Sequence, residues 1–185
     1  MPPKAKVTRD DIQRCAAEVV RSRGAGKLTA KALAGRLHCS TQPIFWVCEN
    51  MEEVRQMVRD EALARFGEYL RMPQESASPY LAVGLNYIRF AIEEREFFKL
   101  LFMSENWEDI LNAHKEMPYV LDVIEKTEHI SGEDAQRVYE EMWMLSHGIA
   151  TMIATGTAQF SEEQIRRILH DVYSGLMMNL SNRKA

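Results

Sequence analysis

The side chains best suited to specific polar contacts lie in the short stretch HCSTQPIFWVC, residues 38–48. Ser40, Thr41 and Gln42 carry hydroxyl and amide groups, which hydrogen-bond to phosphate oxygens and to the edges of bases. Such groups normally cap helices or face solvent, and here they directly precede a run of bulky apolar residues. The stretch therefore predicts a very short helix whose polar start faces outward.

Two adjacent aromatic residues, Phe45 and Trp46, follow this polar start. A flat apolar ring at that position is suited to contact a sugar or a thymine methyl group in the major groove. Ile44, together with Val47 or Cys48, is spaced to face a supporting helix instead. The stretch thus predicts one face for recognition and one face for packing.

Other reactive residues lack the spacing that catalysis or metal binding requires. No GxSxG, P-loop, dinucleotide-binding or HExxH motif is present. His170 and Asp171 are adjacent in a predicted helix, so their side chains diverge and form no relay. His38, His114 and His129 have no partner at the spacing of zinc ligands. We expect no catalytic residue, no metal site, no cofactor and no enzymatic activity.

Charge is distributed unevenly along the chain. Residues 1–50 contain nine Lys or Arg and four Asp or Glu, whereas residues 51–185 contain 14 and 23. A basic end on an acidic body predicts an N-terminal surface that faces a polyanion. No apolar run reaches the length of a membrane span and no signal-peptide pattern opens the chain, so we expect a cytoplasmic protein that does not bind a membrane.

Three cysteines, Cys15, Cys39 and Cys48, lie in the first 50 residues. No two of them form a CxxC pair, and free buried thiols in a reducing compartment are the simplest interpretation. A thiol sensor is the alternative, and it requires an exposed cysteine of low pKa.

Helix starts are marked by capping residues along the whole chain, and no run has the alternation of a strand. We predict an all-α fold of about nine helices. The predicted helix starts are Thr8 to Asp11, Thr29, Ser40, Asn50, Ser78-Pro79, Ser131 to Asp134, and Ser161 to Gln164. The first helix is predicted to stop at Gly24 to Gly26, and the helix that starts at Asn50 to run to about Arg71. A further helix is predicted over about 107–127, with an interruption near Pro118.

A longer helix followed by two short helices and a tight turn is the plan of a helix-turn-helix, whose last helix enters the major groove of DNA. The residues predicted to contact DNA are polar, charged or aromatic side chains on, or next to, the two short helices. They are Lys27, Thr29, Lys31, Ser40, Thr41, Gln42, Pro43, Phe45 and Trp46.

The order of these residues resembles the tetracycline-repressor (TetR) family of bacterial transcription regulators over about Ile12 to Val54. The matching positions are Thr29, Leu33-Ala34, Cys39-Ser40, Ile44-Phe45, Val47-Cys48 and Met51 to Val54. Trp143 with His147-Gly148 is also similar to a W-x-x-x-H-G pattern of that family.

Three positions depart from the family pattern. Phe45, Val47 and Met51 stand where members of the family carry tyrosine, histidine and lysine that contact phosphate. Each lost charged contact reduces the salt dependence of DNA binding by about one unit of slope.

The resemblance implies a homodimer that binds a palindromic operator, represses transcription and is released by a small apolar or aromatic effector. It implies a DNA-binding domain over residues 1–50 and a ligand-binding and dimerisation domain over 51–185, joined by the helix 51–71. The implied dimer interface comprises Ile165, Ile168, Leu169, Val172 and Leu176.

Apolar and aromatic residues of the C-terminal part are, as a group, candidates for the effector pocket, although core packing is the better explanation for any single one of them. The alternative function is a TetR-like protein with a degenerate DNA-reading surface, acting as a ligand- or protein-binding module. The candidate pocket residues are Phe98, Phe102, Met103, Trp107, Tyr119, Trp143, Met144 and His147.

Overall fold

The computed structural model describes residues 7–76, 78–103 and 114–184. Over these ranges the chain forms nine α-helices, two 3₁₀ helices (Ala25–Lys27 and His114–Glu116) and no β-strand, which confirms the all-α prediction. The helices are α1 (Arg9–Arg23), α2 (Ala30–Arg36), α3 (Gln42–Phe45), α4 (Met51–Leu70), α5 (Pro79–Glu93), α6 (Arg95–Phe102), α7 (Met117–Glu128), α8 (Glu133–Thr155) and α9 (Glu162–Lys184).

Capping side chains start several helices as the sequence predicts. Thr8 and Asp11 form a reciprocal capping box at α1, with distances of 3.1 and 3.2 Å. Ser161 and Gln164 form another at α9, with distances of 2.8 and 3.2 Å. Asn50 Oδ1 accepts two backbone N–H groups at the start of α4. These bonds satisfy amides that have no partner within the helix.

The prediction that Ser40 caps the third helix is wrong. The N-cap of α3 is Thr41, its side chain makes no capping bond, and the helix begins at Gln42. The physical reason is Pro43, which has no N–H to donate to a hydroxyl at position 40. The turn is closed instead by a backbone bond from Ile44 N to Thr41 O, at 3.2 Å.

The prediction for the helix before residue 127 needs a similar correction. Pro118 does not interrupt a helix but lies in the first turn of α7, where its fixed φ and missing N–H are tolerated. The predicted residues 107–113 of that helix lie outside the described residues.

One compact unit, here called unit 1, is formed from Met1–Arg65 and Glu94–Asn112. Its described part contains α1, α2, α3, most of α4, and α6. The predicted apolar stripe of α1 is buried, and Leu33 and Ile44 add fully buried side chains from α2 and α3. The stripe consists of Ile12, Cys15, Ala16, Val19 and Val20.

A buried carboxylate fixes α6 within unit 1. Glu94 is only 3% exposed, and it accepts hydrogen bonds from Arg21 Nε and Nη2 at 2.7 and 2.6 Å. Arg65 Nε lies 3.5 Å from the same carboxylate. The Arg21 guanidinium also lies over the Phe97 ring, 5.8 Å from its centroid. The buried carboxylate of Glu94, directly before α6, therefore interacts with arginines of both α1 and α4.

The second compact unit, unit 2, is formed from Phe66–Glu93 and Ala113–Ala185. Helix α5 lies at its centre and packs against α8, with α7 and α9 alongside both. Asn86 of α5 is fully buried, and its amide donates to Met72 O at 2.7 Å. None of the helices in the described ranges is long and apolar enough to cross a lipid bilayer.

The two units divide the chain at different points from those that the sequence predicts. The divisions fall between Arg65 and Phe66, inside α4, and between Glu93 and Glu94, before α6. The predicted division after residue 50 coincides with the start of α4, a single continuous helix of 20 residues.

Candidate nucleic-acid interface and ligand cavity

The short helix α3 presents its two faces as the sequence predicts. Ile44 and Cys48 are buried, with relative exposures of 0% and 1%, and they anchor the helix in unit 1. Phe45 and Trp46 point outward, with 43% and 74% of their surface exposed. A tryptophan exposed to that degree places a large apolar surface in water, which is costly unless a partner covers it.

The polar residues before α3 are also free to meet a partner. Ser40, Thr41 and Gln42 are all exposed. Among the described residues, none of their side chains forms a hydrogen bond, since the helix start is held by backbone bonds alone. Pro43, the remaining predicted contact of α3, is half-buried in its first turn.

Lysines beside α2 provide unpaired positive charge. Lys27 and Lys31 are exposed, and no carboxylate of the described residues pairs with either. By contrast, Arg36 is paired with Glu18 at 3.2 Å. Thr29 lies between the two lysines, where its hydroxyl accepts the Ala32 N–H at 3.1 Å and caps α2. The oxygen of Thr29 is therefore engaged, although its hydroxyl proton remains available to a phosphate.

Two of the three cysteines, Cys15 and Cys48, do not have the character of a thiol sensor. Cys15 and Cys48 are buried, and burial raises the pKa of both thiols. A raised pKa disfavours the reactive thiolate. Cys39 is half-buried in the turn between α2 and α3. Among the described residues no cluster of three or more His, Cys, Asp or Glu is arranged to hold a metal ion.

Unit 2 contains a cavity lined by residues of α4, α5, α7 and α8 and by Glu116. The cavity has about 530 Å³ of empty space, part of which is open to solvent. Much of the wall is aromatic, formed by Phe66, Tyr80, Tyr87, Tyr139 and Trp143. A cavity of this size and character is suited to a small, largely apolar molecule.

A few polar groups interrupt the apolar wall. Ser146 is 3% exposed and lines the cavity, where its hydroxyl oxygen lies close to Gly84. Glu116 Oε2 is buried and has no hydrogen-bond partner among the described residues. Arg71 Nη1 does lie 2.7 Å from Glu116 Oε2. The geometry of that contact fits an ion pair but not a hydrogen bond, so the carboxylate keeps an unused acceptor position.

Only some of the predicted pocket residues lie at this cavity. Trp143 lines it, whereas Phe98, Phe102 and Met103 belong to unit 1 and are excluded from it. Phe98 is fully buried in the core of unit 1. Trp107 lies outside the described residues.

The remaining predicted pocket residues lie beside the cavity or away from it. Tyr119 stacks on the Arg71 guanidinium, 4.1 Å from the ring centroid. Met144 is 57% exposed, because it follows Trp143 on α8 and is turned about 100° towards solvent. His147 forms a second layer behind the wall.

His147 supports two cavity residues through its ring. Its Nδ1 lies 2.9 Å from the hydroxyl of Tyr87, and the ring stacks on Trp143 with centroids 5.2 Å apart. Burial lowers the pKa of His147, and burial raises the pKa of Tyr87. Both groups are therefore neutral at physiological pH, and the pair fixes the position of the aromatic wall.

Sequence reasoning missed Tyr139 and Ser146, although the spacing contained a signal. Tyr139, Met142, Trp143 and Ser146 follow the i, i+3, i+4, i+7 pattern of one helical face, and all four line the cavity. Because the sequence predicts Trp143 as a pocket residue, the same spacing predicts Tyr139 and Ser146, about one helical turn before and after it, as pocket residues too. Glu116 had no such signal, because it lies in a 3₁₀ helix before α7.

The predicted dimer residues of α9 divide between two faces. Ile165, Leu169 and Leu176 are buried by their own subunit, with exposures of 4%, 1% and 8%, so they offer no surface to a second copy. Their spacing is that of the face packed on α5 and α8. Val172 is 39% exposed and Ile168 is half-buried, so these two remain candidates for an interface.

No protein-family model and no curated protein matches the chain. Its fold, however, has a solved counterpart. The chain is similar to the structure of a protein with unknown function from Rhodococcus sp. RHA1, with a TM-score of 0.71 and 16% sequence identity. The similarity covers 96% of this chain and 97% of that chain. At this identity the comparison establishes the shared fold alone.

Proposed function

We propose that the protein is a DNA-binding transcription regulator that acts as a homodimer on a palindromic operator and is released by a small molecule. The observation that carries the proposal is the outward face of α3. Ser40, Thr41 and Gln42 are exposed and without hydrogen-bond partners among the described residues, and Trp46 beside them is 74% exposed. A row of this composition, backed by a buried Ile44, has the chemistry of major-groove readout.

Electrostatics support a nucleic-acid partner of modest salt dependence. Lys27 and Lys31 are exposed, and neither pairs with a carboxylate of the described residues. Both lysines can therefore bind a phosphate group without first breaking an ion pair. A dimer would use four such lysines. These four contacts predict a slope of about −4 for the logarithm of the binding constant against the logarithm of salt concentration.

A second copy would cover exposed apolar side chains of unit 2. Met144 of α8 and Val172 and Met178 of α9 are 57%, 39% and 66% exposed. Apolar surface on adjacent helices favours a helical interface between identical subunits. Two recognition helices in one dimer must lie about 34–36 Å apart to enter successive major grooves.

Helix α4 supports the proposed link between effector and DNA. Its first residues follow α3 after the turn at residues 46–50 and are capped by Asn50, while Phe66 and Leu70 near its other end line the cavity. A molecule in the cavity therefore contacts the same helix that begins beside the recognition residues. It would release DNA only to the extent that it binds the released conformation more tightly.

Two binding measurements test the proposal. Selection of duplexes from a random pool should enrich a palindrome whose half-sites are one helical turn apart. In titrations of the selected duplex, Gln42→Ala should relax base preference by roughly 1–3 kcal/mol at one position. Lys31→Ala should weaken all duplexes alike, and Lys126→Ala in unit 2 serves as the matched control.

The exposed aromatic pair also favours a second candidate. Phe45 is 43% exposed and carries no hydroxyl for a phosphate, so Phe45 and Trp46 together form an apolar patch suited to a protein partner. A chain that uses this patch for protein binding would show almost no salt-dependent affinity for random duplexes. The same titration therefore separates the two functions.

A further inference from the structure

The wall of the cavity in unit 2 contains one carboxylate. Of the described residues that line the cavity, Glu116 alone has a formal charge. Its Oε2 atom is buried and accepts no hydrogen bond, although Arg71 Nη1 lies 2.7 Å from it as an ion pair. A buried acceptor without a hydrogen bond costs free energy unless a donor reaches it.

Gly67 of α4 makes room for this carboxylate. A Cβ atom at position 67 would lie 2.7 Å from Glu116 Oε1, closer than real Cβ contacts, and 3.1 Å from Arg71 Nη1, which is tight. The glycine therefore lets Glu116 lie against the backbone of α4. Arg71 Nη1 pairs with Glu116 Oε2 at 2.7 Å and donates to Gly67 O at 2.7 Å, and the Arg71 side chain is 46% exposed, so solvent screens its charge.

The aromatic wall favours the same sign of ligand charge. Tyr139 and Trp143 line the cavity, and the face of an aromatic ring attracts cations and repels anions. Ser146 also lines the cavity, and its hydroxyl oxygen can accept a hydrogen bond. An anion in the same place would face Glu116 and the ring faces together.

We propose that the cavity binds a small aromatic amine in its protonated form, with the ring between the aromatic walls and the ammonium group hydrogen-bonded to Glu116. The ammonium takes the unused acceptor position on Oε2 and shares the carboxylate with Arg71. This inference rests on the proposed function only in identifying the cavity with the effector site. The binding chemistry itself depends on unit 2 alone.

Isothermal titration of the full-length protein with three matched probes tests the inference. The probes are 2-phenylethylamine, which is protonated at neutral pH, the neutral 2-phenylethanol, and the anion 3-phenylpropionate. The amine should bind at least about tenfold more tightly than the anion, since both carry a charged group on a two-carbon chain from a phenyl ring and the sign of that charge is opposite. Equal binding of amine and anion, or no binding of the amine by the folded protein, would overturn the proposal.

Two variants assign the preference to the named groups. Glu116→Gln should reduce the amine-to-anion preference to within about threefold, because the neutral amide keeps the shape of the carboxylate but not its charge. Arg71→Gln should raise the affinity for the amine, because it removes the competing cation. Glu125→Gln, an exposed carboxylate of α7, is the matched control and should change neither. Thermal unfolding shows whether each variant is folded.

The outcomes separate this inference from the proposed function. An unchanged preference in Glu116→Gln, or weaker amine binding in Arg71→Gln, contradicts the assignment of the ammonium to Glu116. If the probes behave as expected and the protein shows no salt-dependent duplex binding, the ligand chemistry stands and the DNA-binding function fails. If duplex binding is found without any preference for the amine, the inference fails and the function stands.

Discussion

The ion pair between Arg21 and Glu94 provides a quantitative test of how unit 1 is held together. In Arg21→Ala, Glu94, which is 3% exposed in the unaltered protein, loses two hydrogen bonds of 2.6 and 2.7 Å, and among the described cations Arg65 stays beside it, at 3.5 Å. Breaking a buried pair from one side costs roughly 3–5 kcal/mol. Because the Arg21 side chain is 50% exposed, we expect the lower end, about 3 kcal/mol.

The opposite change should cost less. Glu94→Gln removes the buried charge, and the half-exposed Arg21 regains water, so we expect a loss of about 1 kcal/mol. The double variant should then be more stable than Arg21→Ala alone, because no unpaired carboxylate is left buried. For a chain of this length, about 3 kcal/mol corresponds to a decrease in Tm of roughly 6–12 °C.

Urea unfolding followed by circular dichroism measures these differences, with a midpoint and a slope for each variant. Arg14→Ala is the matched control, since Arg14 pairs with Asp11 on the surface at 2.7 Å and should contribute less than about 1 kcal/mol. The reasoning is refuted if Arg21→Ala is no worse than this control, or if the two changes in the double variant add fully.

Three further outcomes are expected. Burial lowers the pKa of His147, so this side chain binds a proton more readily in the unfolded protein than in the folded one. The contribution of His147 to stability should therefore be complete above about pH 6.5 and be lost as the pH falls through its lowered folded pKa. Urea unfolding at several pH values measures this loss, which should be smaller in His147→Asn. Gly35→Ala, with nothing within 4 Å, should gain up to about 1 kcal/mol of stability, whereas Gly67→Ala should gain less, because its new Cβ lies 2.7 Å from the flexible end of Glu116 and displaces it; equal changes in the free energy of unfolding would contradict this contrast. Asn50→Ala should cost about 1 kcal/mol, because two backbone N–H groups at the start of α4 lose their acceptor, and a Tm equal to that of the unaltered protein would argue against the cap.

Helix starts were the part of the fold that could be predicted best from the sequence. A cap depends on residues three apart, so Thr8 with Asp11 and Ser161 with Gln164 define their own geometry. Ser40 was the exception, and a local rule again explains it, since the proline three residues later cannot donate. Local bonding therefore accounts for both the correct starts and the failure.

The cavity was predicted less well, because its walls depend on which helices pack together. Phe98 and Trp143 both read as apolar residues of a C-terminal domain, yet α6 belongs to unit 1 and α8 to unit 2. Spacing along one helix shows which residues share a face, as with Tyr139 and Ser146. Spacing does not show which face of a helix lines a cavity and which packs in the core. For this reason the sequence predicts Ile165 and Leu169 at a dimer interface, whereas the structure buries both within one chain.

The most direct test of the central claim is a salt titration of duplex binding by the full-length protein, with Trp46→Ala and Lys31→Ala beside it. For the proposed dimer we predict a slope of about −4, and for its Lys31→Ala variant a slope of about −2. Trp46→Ala should lower the affinity while leaving the slope unchanged, because the indole contributes apolar contact and no charge. A slope near zero for the unaltered protein, with no loss of affinity in either variant, would contradict the assignment of α3 as the DNA-reading element.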